Sequence, residues 1–246
     1  MKFLANDNLD IALDELVSLL NNSGVVCLPS DSCYGFSGIA YDQEALALVQ
    51  NIKGHKSDKP LSMCMASKDD ILDLFRENPI VDILVEEFLP GSLTIISDTK
   101  SGDMLGVRLP DHNLMMSLVR HLGKPIFTTS ANAHGRPACY SVGELEMQLG
   151  ESFDLISGVL DLGILEGKSP STIVKVNEKS LEIVREGEIV IEIDQAMSGD
   201  SPSELEQVKL DILRSLGVES RSELIRRRDR KQKLEVKVET TQKILS

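Results

Sequence analysis

Hydroxyls, amides and cations recur in this chain at the ends of short apolar runs. Those residue types suit one kind of chemistry, the holding and neutralising of anionic groups on a small molecule. The first stretch is Pro29-Ser30-Asp31-Ser32-Cys33-Tyr34-Gly35-Phe36. A loop so rich in hydroxyls either caps itself in a turn or binds the polar groups of a ligand. The second, Lys53-Gly54-His55-Lys56, closes a helical pattern and is followed by Asp58-Lys59-Pro60-Leu61. Cations there either cap the negative end of the helix dipole or clamp phosphate oxygens, Lys53 as a point charge and a donor two residues on for a neighbouring oxygen. The third is Gly106-Val107-Arg108-Leu109-Pro110-Asp111-His112. An arginine inside an apolar strand must be paired, either with a carboxylate ligand or with an internal Asp or Glu. The fourth is Thr128-Thr129-Ser130-Ala131-Asn132-Ala133-His134-Gly135-Arg136-Pro137. Ser130 and Asn132 alternate, so both can face one side, offering donors and acceptors for phosphate oxygens or a ribose. The fifth is Ser169-Pro170-Ser171-Thr172-Ile173-Val174, with Arg185-Glu186-Gly187 downstream. The four histidines are scattered and form no Ser-His-Asp or zinc pattern with the other residues.

The elements that must position these stretches can be read from periodicity. Ile11, Leu16, Leu19 and Leu20 have helical spacing over residues 9–22. Val25 to Leu28 reads as a buried strand ended by Pro29. Asp42 can cap a helix carrying Ala45, Leu46, Val49 and Ile52. Strands are expected at 61–65, 93–97, 104–108 and 125–129, and helices near 69–76, 79–88, 111–122 and 142–149. The β-rich stretches at 171–176, 181–184 and 189–193 are separated by turn signals. Helices and strands alternate irregularly, which predicts an α/β fold with a mixed sheet rather than a strict doubly wound parallel one. Residues 130–141 and 29–36 read as polar loops. Met197 to Pro202 reads as a Gly/Ser/Pro linker. Ser203 and Glu206 beyond it form a capping-box signature for a helix to about Leu216, giving a short helical C-terminal appendage over 197–246 that includes a basic stretch at 221–233.

Composition narrows the function classes. Of 246 residues, 41% are hydrophobic and 4% aromatic, with no Trp, so the chain is globular but lacks aromatics for a base-stacking platform. The net charge is −13. Residues 197–246 hold 11 Lys and Arg against 9 Asp and Glu, which leaves residues 1–196 with 15 against 30. An acidic body disfavours general binding of nucleic-acid backbones but is compatible with a small basic pocket for one nucleotide. Cys27, Cys33, Cys64 and Cys139 form no CxxC pair and read as free thiols of a reducing compartment. With no signal-like N-terminus and no run of 18 apolar residues, the expectation is a cytoplasmic protein without a membrane partner.

In their order and spacing these stretches resemble one family, the YrdC-like threonylcarbamoyl-AMP synthases. PSDSCYGF resembles that family's PTDTxYGL element, and KGHKSDKPL its KxR-containing segment. FLPGSLTII resembles LPGPLT, GVRLPDH is near its usual form, and TTSANAHGRP resembles SANxSGxP. SGVLDLG, SPSTIVKV and VREGEI resemble the closing motifs. The match covers residues 9–193, read as the YrdC-like domain. The resemblance implies a twisted mixed sheet with flanking helices around a large, positively lined cavity. It implies formation of threonylcarbamoyl-AMP and pyrophosphate from L-threonine, bicarbonate and ATP, with Mg2+ accompanying the ATP and the product passing to adenosine 37 of certain tRNAs through other proteins.

Carried over by residue, the resemblance places Ser30, Tyr34 and nearby Ser32 at the threonine, with Ser171 lining the same side and Arg108 on its carboxylate. Lys53, Ser130 and Asn132 would bind the nucleotide phosphates, and Ser141 and Arg185 would approach the nucleotide. His55 stands where the family has the Arg of KxR, and Lys56 is a candidate to compensate. Because the family also includes paralogues outside this activity, a non-catalytic RNA-binding or ribosome-associated protein is the alternative implied.

Overall fold

The computed structural model describes residues 2–4, 9–54, 61–167, 169–178 and 180–191. Met1–Ile189 form one compact unit. The candidate linker and appendage at 197–246, together with His55 and Lys56, lie outside the described residues.

One ten-stranded mixed sheet organises the unit. In chain order the elements are β1 (Lys2–Leu4), α1 (Leu9–Asn21), β2 (Val26–Pro29), β3 (Tyr34–Ile39), α2 (Gln43–Lys53), β4 (Ser62–Cys64), α3 (Lys68–Leu74), α4 (Pro79–Phe88), β5 (Leu93–Asp98), β6 (Met104–Arg108), α5 (Asn113–Leu122), β7 (Ile126–Ser130), α6 (Val142–Leu149), β8 (Gly158–Leu160), β9 (Thr172–Val176) and β10 (Leu181–Arg185). The strand order is β1-β8-β2-β3-β7-β4-β6-β5-β9-β10. Four of the pairings are parallel (β1 with β8, β8 with β2, β4 with β6, β5 with β9) and the others antiparallel.

Alternation along the central strands splits the core into two layers, because successive side chains point to opposite faces. Cys27, Tyr34, Phe36 and Phe127 pack with α2 and α6 residues on one face. Val26, Leu28 and Ile126 pack with α1 and α5 residues on the other. The helices present matching stripes: Ala45, Val49 and Ile52 of α2 recur at one face and are buried. The Asp42 carboxylate caps α2 by accepting from the Glu44 and Ala45 amides at 3.0 and 3.1 Å. Gly54, at φ 72°, stops the helix in the left-handed conformation that favours glycine.

Four expectations need correction. Residues 34–36 are not loop but the start of β3, a central strand hydrogen-bonded to β2 and β7. Strands β1 and β8 were not expected from the sequence. Helix α5 begins at Asn113 rather than at 111, with His112 at its cap and no side-chain capping bond. Ile189 to Ile191 are not strand.

Candidate active site

A cavity of about 940 Å³ opens on the sheet beside α2. Ser30, Ser32, Lys53, Arg108, Ser130, Ser171 and Arg185 all line it. Residues drawn from six separate parts of the sequence therefore meet in one place. None of the described lining residues is a carboxylate, although the chain as a whole carries a net charge of −13.

Lys53 is delivered by the last turn of α2. The His134 amide donates to the Lys53 carbonyl at 2.9 Å and ties that turn to the loop after β7. The ammonium donates to the Ser130 carbonyl at 2.6 Å and to Asn132 Oδ1 at 3.1 Å. It also lies 5.6 Å from the Phe36 ring centroid, within cation–π range. Ser130 Oγ donates to the same Asn132 Oδ1 at 2.6 Å. The Asn132 amide nitrogen is committed to the Ala133 and Arg136 carbonyls, both at 2.8 Å. Asn132 is therefore a fixed acceptor that aims Lys53 and Ser130, and it is not itself among the lining residues. Burial lowers the Lys53 ammonium from 10.5 to about 8, because among the described residues no carboxylate pairs with it to offset desolvation.

Arg108 ends β6, opposite Thr94 of β5 in the antiparallel register. Its Nη2 donates to both oxygens of Asp31, at 2.6 and 2.9 Å. The Arg108 and Asp31 side chains are 11% and 6% exposed. Of the two alternatives left open by the sequence, the internal carboxylate is the one present. The pairing is end-on through one nitrogen rather than a two-nitrogen fork, and Arg108 Nε is buried without a partner. Asp31 is held in place by a turn: Ser30 Oγ donates to the Cys33 carbonyl at 2.6 Å and accepts from the Ser32 and Cys33 amides at 3.3 and 3.4 Å. The self-capping turn and the cavity-lining loop are thus the same structure. The Cys33 thiol also lines the cavity, and burial pushes it up from its ordinary value.

Across the cavity, Ser171 precedes β9. Its hydroxyl lies 3.0 Å from Thr94 Oγ1. Arg185, at the end of β10, reaches back: Nε and Nη2 donate to the Ser171 carbonyl at 3.1 and 2.7 Å, and Nη2 to Ser171 Oγ at 3.1 Å. Burial, and then the nearby Arg108 charge, lower the Arg185 guanidinium from its ordinary value. Gly187 makes this return possible, since a Cβ there would stand 2.1 Å from the Pro170 carbonyl oxygen.

Two other expected site residues lie elsewhere. Ser141 caps α6, its hydroxyl accepting from the Glu144 amide at 3.2 Å, and is not a lining residue. Tyr34 is fully buried. Its hydroxyl accepts from the Leu162 amide at 2.9 Å and lies 2.9 Å from the Gly163 carbonyl and 3.1 Å from Asp161 Oδ1. Burial raises this phenol to about 12, so it stays a neutral donor. The expected contact of Tyr34 with a ligand is replaced by contacts with the segment after β8, because the side chain alternates away from the cavity. The sequence reading missed Asp31 as the arginine's partner and Thr94 as a hydroxyl of the wall. The position of Thr94 in an apolar run was the one available signal.

The mixed sheet carries a cation-lined, hydroxyl-rich cavity whose chemistry suits an anionic small molecule. The Sua5/YciO/YrdC family model, described as "Telomere recombination", matches residues 18–187, and the chain belongs to that family. A putative threonylcarbamoyl-AMP synthase of Methanocaldococcus jannaschii is 34% identical over 183 residues, covering 71% of this chain and 84% of that one. The threonylcarbamoyl-AMP synthase of Bacillus subtilis is 28% identical over 201 residues, covering 77% of this chain and 57% of that one. The crystal structure of P. abyssi Sua5 complexed with L-threonine has the same fold, with a TM-score of 0.70, 22% identity and coverage of 86% of this chain and 61% of that one. The chain therefore spans less than two thirds of the bacillary relative and of the P. abyssi structure, and most of the archaeal one. Among the described residues no helix is long and apolar enough to cross a membrane.

Proposed function

We propose that this chain is a threonylcarbamoyl-AMP synthase. The observation that carries the reading is the convergence of Lys53, Arg108 and Arg185 in one cavity with no carboxylate among its described lining residues. The family membership and the named relatives support the substrates: L-threonine, bicarbonate and ATP. The threonine amine takes up bicarbonate with loss of water to give a carbamate. A carbamate oxygen then attacks the α-phosphorus of ATP, and pyrophosphate leaves with its electron pair. Such a reaction needs no protein nucleophile. Positioning and neutralisation of developing charge suffice. Lys53 neutralises ATP phosphates, with Asn132 accepting from both Lys53 and Ser130 and so holding them at the phosphates. Arg108, held by Asp31 through Nη2, takes the threonine carboxylate through its remaining N–H groups, with Ser30, Ser32, Thr94 and Ser171 as hydroxyl partners, and Arg185 approaches the nucleotide.

The described residues contain no group of three or more His, Cys, Asp or Glu placed to hold a metal ion. Magnesium would therefore come with the ATP, held mainly by its phosphates, supplying charge neutralisation there. The product would serve tRNA modification through partner proteins.

The test is incubation of the full chain with ATP, threonine, bicarbonate and magnesium. Pyrophosphate released only when all are present supports the reading. No release, together with binding of RNA, refutes the synthase reading and favours the non-catalytic alternative.

A further inference from the structure

Asn132 aims both Lys53 and Ser130, yet it sits in a stretch without helix or strand, residues 131–140. What fixes Asn132 therefore fixes the corner assigned to the nucleotide phosphates. Its own amide nitrogen cannot tie it to the rest of the fold, because both bonds run to carbonyls of the same loop, Ala133 and Arg136. The Arg136 amide donates to the Ala133 carbonyl at 3.0 Å, and Gly135 takes φ 74°. These bonds close the loop on itself. A loop satisfied from within still needs anchors outside it.

An anchor comes from α2, where the Lys53 carbonyl accepts from the His134 amide. A second comes from α6. Gln148 Oε1 accepts from the Ala133 amide at 3.3 Å, and Gln148 Nε2 donates to the Pro137 carbonyl at 3.1 Å. A side-chain amide carries an acceptor and donors on one rigid plane, so it can bridge an N–H and a C=O four residues apart. The Ala133 nitrogen belongs to the peptide that follows Asn132, so the first of these bonds fixes the plane after Asn132. The Ala131 carbonyl, accepting from the Cys139 amide at 3.2 Å, fixes the plane before it. The Pro137 bond holds the far end, next to the Arg136 carbonyl that takes the Asn132 amide. Helix α6 is a firm base for this clamp. Its Val142, Leu145 and Leu149 are buried, and Glu144 Oε2, one turn before Gln148, accepts from the Tyr140 amide at 2.8 Å.

We propose that Gln148 is a positioning residue: by clamping residues 133–137 it holds Asn132, and through Asn132 it sets Lys53 and Ser130 for the nucleotide phosphates. This rests on the synthase reading for the identity of the nucleotide. Gln148 is not a lining residue of the cavity, so it acts only through the loop. The threonine end is built from other elements, with Arg108 on β6, Thr94 on β5 and Ser171 before β9. The effect of Gln148 therefore falls on ATP and spares threonine.

The test is Gln148→Met, which keeps the length of the side chain and removes both bonds. Calorimetric titration of the full chain with ATP and excess magnesium, and separately with threonine, reads it. The expected result is an ATP Kd raised about three- to tenfold, a threonine Kd within about twofold of the parent, and faster hydrogen exchange of the Ala133 amide. The deciding measurement is a double-mutant cycle with Asn132→Ala. Because Gln148 acts through Asn132, Gln148→Met should change ATP affinity by less than about twofold once the Asn132 side chain is gone. The same loss in both backgrounds would overturn the proposal. So would an unchanged ATP Kd in the single variant, or equal losses for ATP and threonine, the signature of a merely structural role. Gln148→Ala, suited to a helix position, replaces Gln148→Met if that variant does not fold, with the same outcomes deciding. A parent that binds ATP but releases no pyrophosphate refutes the synthase reading alone, and these affinities then decide the positioning role. A parent that binds no ATP overturns both.

Discussion

The most quantitative consequence of the site concerns the charge on Lys53 and the pH at which ATP binds. Burial holds this ammonium at about 8 in the free protein, against 10.5 in the open chain. At about 1.4 kcal/mol per pKa unit, the charged form is disfavoured by at most about 3.5 kcal/mol. ATP phosphates beside the ammonium favour the charged form, so binding above pH 8 must first return a proton to Lys53. The apparent affinity should therefore be flat from about pH 7 to 7.5, halved near pH 8, and about tenfold weaker at pH 9. Calorimetric titration with ATP and excess magnesium across this range measures it, and proton uptake should approach one per ATP at pH 9. Lys53→Met should bind more weakly at pH 7.5, by about 1.5–3 kcal/mol for a lost charge-assisted bond, and its affinity should not change between pH 8 and 9. Equal affinity of the parent at pH 7.5 and 9 would refute the reasoning. The sign for stability is opposite. With the folded value below the unfolded one, the unliganded protein gains stability from this group as pH rises through the window from about 8 to 10.5.

Three further outcomes are expected. Arg108→Lys should raise the threonine KM at least tenfold and leave the ATP KM nearly unchanged, because a lysine paired with Asp31 lacks the further N–H groups of the guanidinium; equal effects on both substrates in steady-state kinetics would refute the assignment. Gly38→Ala should destabilise by about 1–3 kcal/mol in denaturant titration, since the added Cβ would stand 2.5 Å from the Phe127 ring and 3.1 Å from Ala45 Cβ; a variant as stable as the parent would show that the ring has room to move. His55→Arg should raise the rate at pH 8, where an ordinary histidine is mostly neutral, with the gain shrinking toward pH 6; a flat response across a pH–rate profile would show that His55 is a spectator.

Much of the fold was legible in the sequence, and the reasons can be traced to particular residues. Asp42 and Gly54 bracket α2 because cap chemistry is local. The apolar runs at 25–28, 93–97 and 125–129 became β2, β5 and β7 because burial on both faces demands them. Strand β3 was missed because Gly35 and Gly38 dilute its signal, and both glycines answer to tertiary neighbours. A Cβ at Gly38 meets the Phe127 ring, and one at Gly35 comes within 3.4 Å of Thr128 Oγ1 and the Thr129 carbonyl. Strands β1 and β8, three residues each, are defined by pairing, β1 with β8 and β8 also with β2. The cavity residues Lys53, Arg108 and Ser130 were legible from their types at element ends. The Asp31–Arg108 pair and the burial of Tyr34 were not, since each depends on a segment distant in the chain.

Those distances along the chain bear on how the protein is made. Arg108 and Asp31 are 77 residues apart, Lys53 and Asn132 79, Thr94 and Ser171 77. Contacts of such separation close large loops and form late, after local helices and hairpins. A chain emerging from the ribosome has no complete pocket until Arg185 is free to fold back onto Ser171. On the synthase reading, ATP and threonine would stabilise only the finished unit and not its precursors. The cellular supply of substrate would protect completed molecules from unfolding by mass action while leaving every truncated or stalled chain exposed to proteolysis.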